Sequence, residues 1–95
     1  MSMLSLKIII PDALMVTNNE FPDMEKFVVI FDMENVSFLN SIFYGFCIMN
    51  RDRIILLNPN RITLEVLETL SVCDILNICH DKNEAIRWAK NIIDN

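Results

Sequence analysis

The stretch FVVIFDMENVSFLNSIFYGF, residues 27–46, decides how this chain is read. Phe27 to Phe31 are apolar at every position and rich in β-branched side chains. Both faces of such a segment need cover, which predicts a central strand with layers on either side. Asp32 ends the run. Asn40-Ser41 then stands just ahead of a second apolar segment, in which Ile42, Phe43, Phe46, Cys47 and Met49 recur at roughly helical spacing. A short helix over 41–49, followed by the strand-like Arg53-Ile54-Ile55-Leu56-Leu57, predicts a βαβ unit with two parallel strands.

Working outward from that unit, Leu4, Leu6, Ile8 and Ile10 alternate with Ser5, Lys7 and Ile9. Pro11-Asp12 is turn chemistry, and Ala13–Val16 is a second short apolar run, so the opening is expected to be a β-hairpin. Residues 17–26, TNNEFPDMEK, leave room for at most one helical turn starting at Pro22. On the C-terminal side, Asn60 is a candidate helix cap, with Ile62, Val66, Leu67 and Leu70 on one face behind it. Asp74–Cys79 reads as a short strand. Asp81 and Glu84 are spaced as a capping box, and Ala85, Ile86, Ala89, Ile92 and Ile93 form the apolar stripe of a closing helix. Alternating strands and helices in 95 residues, with one glycine and three prolines, predict a single α/β domain over residues 1–95.

Charge and cysteine usage narrow the function classes. Thirteen acidic against eight basic side chains leave a net charge of −5, which argues against nucleic acid as a partner, because phosphate tracking needs a basic face. Lys7 breaks the N-terminal apolar run and Pro11-Asp12 end it short of a membrane span, so the expectation is a cytoplasmic protein without direct membrane insertion. Cys47, Cys73 and Cys79 lie in apolar surroundings without C-x-x-C spacing and read as three buried, reduced thiols. The match of Asn35-Val36-Ser37 to a glycosylation acceptor carries no weight without a secretory signal. The only glycine, Gly45, leaves no Gly-rich phosphate loop, and no cofactor is expected.

FVVIFDMENVSFLNS, RIILLN and ITLEVLETLSVCDILNICHDKNEAIRWA together resemble the STAS domain, the family of anti-sigma-factor antagonists and of the cytoplasmic end of sulfate transporters. The likeness covers residues 27 to about 90 and, more loosely, the opening hairpin. It implies a small sandwich of a four- to five-stranded mixed sheet with about three helices. The family's first helix would be shortened or missing, since only Thr17–Lys26 is available for it. It also implies a non-enzymatic regulatory module that binds a protein partner, an anti-sigma factor with serine kinase activity. Ser41 falls on the first Ser of the family's Asp-Ser-Ser/Thr-Gly loop, the phosphorylated position. Asn40 stands in place of the family's Asp, Ile42 and Phe43 in place of the second hydroxyl residue and the Gly, and Ser71 where a Gly often ends the third helix.

The resemblance therefore makes Ser41 the phosphorylation candidate. Asn35, Val36, Ser37, Phe38, Asn40, Ser41, Ile42 and Tyr44 become the partner-binding candidates. The alternative is a constitutive adaptor, a homodimer or a partner subunit of a membrane transporter, with Ser41 only a helix cap. Bulky Ile42 and Phe43 favour it, as does an apolar face left uncovered by the short first helix. Asp32 and Glu34 read as turn residues rather than metal ligands. Adjacent Cys79-His80-Asp81 would point to opposite faces of a strand and do not read as a catalytic triad. Trp88, the Met and the Phe residues read as packing groups, and Arg51, Arg53 and Arg61 as a solvated rim able to meet an acidic partner.

Overall fold

The computed structural model describes residues 3–37 and 40–95. In chain order the elements are β1 (Ser5–Ile9), α1 (Ala13–Thr17), β2 (Phe27–Asp32), α2 (Ser41–Met49), a 3-10 turn (Arg51–Arg53), β3 (Ile54–Leu57), α3 (Arg61–Thr69), β4 (Asn77–Cys79) and α4 (Lys82–Asp94). The sheet has four strands in the order β1-β2-β3-β4, and every pairing is parallel. The expected βαβ unit is present, with Val29 opposite Ile54 and Asp32 opposite Leu57.

Alternation along β2 and β3 divides the core into two layers. Val29, Phe31, Ile54 and Leu56 pack with Met15 of α1, Phe43, Tyr44 and Cys47 of α2, and Leu67 of α3. Their neighbours Val28, Ile30, Ile55 and Leu57 pack on the other face with Ala85 and Ala89 of α4, flanked by Ile86, Ile92 and Ile93. The stripe predicted for the closing helix is thus the one that covers the sheet. Small alanines at its centre let one helix lie close on the strands. Three helices cover one face and one covers the other, so the sandwich is asymmetric.

The sheet is all parallel, not mixed, because the expected hairpin does not form. Pro11-Asp12 starts a helix instead of a reverse turn. The Asp12 carboxylate accepts a hydrogen bond from the Met15 backbone N–H at 2.9 Å, and Met15 is buried in the core. β1 pairs with the central strand, Ser5 opposite Phe27 through Ile9 opposite Phe31. The turn signal was compatible with either outcome, and burial of Met15 against the α1–α3 layer favours the helix. Among the described residues four α-helices result, where about three were expected. Residues 24–26 form a turn and lead directly into β2.

Three smaller expectations also change. The strand near Asp74–Cys79 shrinks to Asn77–Cys79, leaving Ile75 exposed. Cys73 is half-buried, whereas Cys47 and Cys79 are buried; all three thiols are free. Asp81 caps α4 by accepting from the Asn83 N–H at 3.2 Å, while the Glu84 carboxylate approaches Cys79 Sγ at 3.9 Å instead of closing the capping box.

The ends of α1 and α3 share one device. After α3, the Ser71 N–H donates to Glu68 O and the Val72 N–H to Leu67 O, with Ser71 in the left-handed region at φ 58°. Asn19, at φ 54°, closes α1 in the same way through Val16 O, and Glu20 donates to Met15 O. This termination favours glycine, and asparagine tolerates it better than serine. Replacing Ser71 with glycine is therefore expected to stabilise the fold by about 1 kcal/mol, measured as an upward shift of the urea midpoint at unchanged slope.

Candidate functional site

Parallel α/β sheets bind their ligands beyond the C-terminal ends of the strands, where the connecting loops gather. In this chain that edge carries the β2–α2 connection, the Asn58-Pro59-Asn60 turn and the β4–α4 turn. Side-chain amides hold it together. The Asn40 carbonyl oxygen accepts from the backbone N–H groups of Ile42 at 2.8 Å and Phe43 at 3.1 Å, capping α2. Asn60 works in two directions: Oδ1 accepts from the Thr63 N–H at 2.9 Å to cap α3, and Nδ2 donates to Val36 O at 2.8 Å. One residue therefore ties the loop after β2 to the helix after β3. Asp32 starts that loop by accepting from the Glu34 N–H at 3.2 Å, and Met33 N–H continues the sheet by donating to Leu57 O at 2.8 Å.

The partner-binding candidates separate into surface and support. Asn35, Ser37, Ser41 and Ile42 are exposed, and Asn40 is half-buried in its capping role. Val36 and Tyr44 belong to the core and hold the loop and α2 from beneath. Phe38 lies outside the described residues. Ser41 is the first residue of α2, not its cap, because Asn40 occupies that position. Among the described residues the Ser41 side chain makes no hydrogen bond. Asp32, expected in a turn, is instead the last residue of β2, and Glu34 lies in the turn that follows; among the described residues no group of three His, Cys, Asp or Glu side chains is arranged to hold a metal ion. Cys79 is buried while His80 and Asp81 are exposed. Arg51 and Arg53 donate to the backbone oxygens of Ile48 and Met24, and Arg61 pairs with Glu65 at 3.2 Å.

The core also holds two buried polar side chains, of Tyr44 and Thr63, that the sequence did not announce. Thr63 is 1% exposed, and the Tyr44 hydroxyl is buried without a hydrogen bond of ordinary geometry. Desolvation pushes the Tyr44 pKa up, and the neighbouring Thr63 hydroxyl offsets part of that rise. Burial likewise pushes the Cys47 thiol up to about 12. Thr63 faces inward beside Leu67, so Ile62, about 100° round the helix from Thr63, faces out, while Leu70 is exposed as the residue that ends the helix. Of the apolar stripe expected on α3, only Leu67 is fully buried, and Ile62 and Leu70 are exposed at 66% and 56%. The Asn60 anchor and the Tyr44–Thr63 neighbourhood join segments far apart in sequence, so no local spacing could have revealed them.

Two outcomes test this geometry. Asn40→Ala is expected to lose about 1 kcal/mol of unfolding free energy, whereas Ser41→Ala stays within about 0.5 kcal/mol, both by urea denaturation. The Cys47 thiol stays protonated in the folded chain while its unfolded counterpart ionises from its ordinary value of 9.0. Folded protein then binds more protons, so stability falls as pH rises from about 9 towards 12, by up to about 1.4 kcal/mol per pH unit for one group. Cys47→Ala is expected to flatten that slope, measured by denaturation between pH 8 and 10. No family model, curated protein or solved structure matches the chain.

Proposed function

We propose that this domain is a non-enzymatic regulatory module that binds a protein partner through the β2–α2 loop and the first turn of α2. In this reading it is a STAS-like relative of the anti-sigma-factor antagonists, working in the cytoplasm, with phosphorylation of Ser41 as its switch. The observation that carries the reading is the exposed Ser41 hydroxyl, left uncommitted because Asn40 provides the cap. A kinase reaching Ser41 removes no hydrogen bond from the fold. A phosphate there adds about −1.5 to −2 charges at the positive end of the α2 dipole, so the helix tolerates what a docked partner does not. Asn35, Ser37 and Ile42 supply the surrounding contact surface, and Val36 and Tyr44 fix its shape from within. The partner that fits is an anti-sigma factor with serine kinase activity.

Ile42 favours a second reading. It is 63% exposed beside Ser41, and a large aliphatic side chain in that place suits a constitutive adaptor better than an open kinase substrate. Capture with wild-type, Ser41→Ala and Ser41→Glu baits, with mass spectrometry of residue 41, separates the two. The switch predicts a histidine-kinase-like ATPase held by wild type and Ser41→Ala, weakened at least about tenfold by Ser41→Glu, and phosphate on residue 41 of the wild type. If kinase treatment releases the partner from Ser41→Ala as readily as from wild type, Ser41 is not the switch. A partner held equally by all three, with residue 41 unmodified, supports the adaptor.

A further inference from the structure

The two helical layers differ in what they show to solvent. α4 exposes Lys82, Arg87, Lys90 and Asp94, the ordinary surface of a protein in water. α2, SIFYGFCIM, contains no acidic or basic residue at all. Its inner face is Phe43, Tyr44 and Cys47; its outer face is Ile42 and Met49, 63% and 83% exposed, with Gly45 between them. Among the described residues, a Cβ added at Gly45 would meet nothing within 4 Å, so no packing among them calls for glycine there. Glycine in mid-helix is unfavourable by about 1 kcal/mol relative to alanine. What it offers is close approach of another backbone.

We infer that a second copy of this chain docks on the outer face of α2, the two helices crossing antiparallel at Gly45 about a two-fold axis. Gly45 is three residues after Ile42 and four before Met49, so all three share one helix face. A two-fold axis near Gly45 sets Ile42 of one copy against Met49 of the other, and the same contact repeats on the far side, as an isologous interface requires. The absent side chain at Gly45 leaves the hollow in which the helices approach.

Charge selects this occupant and this orientation. The chain carries a net charge of −5, yet α2 contributes none of it, so two copies meet here without burying like charges. Exposed Arg51 follows the C-terminal end of α2, and exposed Glu34 lies in the loop leading to its N-terminal end. Antiparallel crossing brings each copy's arginine towards the other copy's acidic loop. Parallel crossing would bring like ends together and oppose the helix dipoles less favourably.

This inference deepens the adaptor reading by naming its partner and surface, and it is independent of Ser41 modification, because purified, unphosphorylated protein tests it. Sedimentation equilibrium of the wild type from micromolar to sub-millimolar concentration is expected to show a monomer–dimer equilibrium. Ile42→Asp and Met49→Asp, both at exposed positions, are each expected to weaken it by about 100-fold, with circular dichroism unchanged. Gly45→Leu separates the helices and weakens it too, while Lys90→Glu on α4 leaves it unaltered. Arg51→Glu weakens the dimer and the added Glu34→Arg restores it. A wild type that remains monomeric throughout overturns the proposal. A dimer indifferent to both Ile42→Asp and Met49→Asp also overturns it, since association then uses another surface.

Discussion

Val28, Val29, Ile30 and Phe31 of β2 are wholly buried, paired with β1 on one side and β3 on the other and covered above and below. Everything else in the domain is arranged to satisfy that segment. Its backbone groups require a strand on each edge, and its side chains require a layer on each face, because neither polar backbone nor apolar side chain can be left uncompensated in the interior. The layers follow from alternation: Val29 and Phe31 recruit α1, α2 and α3, and Val28 and Ile30 recruit α4. Phe31 meets Phe43 edge to face at a centroid distance of 5.0 Å, which fixes how α2 lies over the strand.

From that packing follows the shape of the candidate site. Once Phe43, Tyr44 and Cys47 turn inward, helical geometry turns Ser41, Ile42 and Met49 outward and leaves Gly45 half-buried between them. The loop before α2 has little freedom, since Val36 is buried beneath it and Asn60 holds its carbonyl oxygen from the next crossover. A partner or kinase approaching α2 therefore meets a surface set by the core and by two asparagine side chains. The structure keeps the Ser41 hydroxyl outside that hydrogen-bonded framework. The opposite layer has a different character: α4 is apolar only where it touches the sheet and charged elsewhere, the ordinary amphipathic division of a surface helix.

Much of this was legible from residue order. Phe27–Phe31 as a central strand, the α2 crossover to β3, Asn60 as a cap and the Ala85–Ile93 stripe all rest on local periodicity or on capping chemistry, which act over three to five residues and are written in the chain. The opening segment was misread because Pro11-Asp12 begins a helix as readily as it turns a hairpin. Choosing between them required knowing that β2 had an open edge for β1 and that Met15 had a core to enter.

By itself, the sequence determined the class of fold and the position of its central βαβ unit, because a doubly buried strand and an apolar helix announce themselves through composition and period. Tertiary structure alone decided the parallel direction of β1, the burial of Thr63 while Ile62 stays exposed, the burial of Val36 and Tyr44 beneath the loop, and which side of α2 faces solvent. These depend on which surfaces compete for the same core volume. Such competition is a property of segments distant in the chain and brought together by folding, and no window of neighbouring residues contains it.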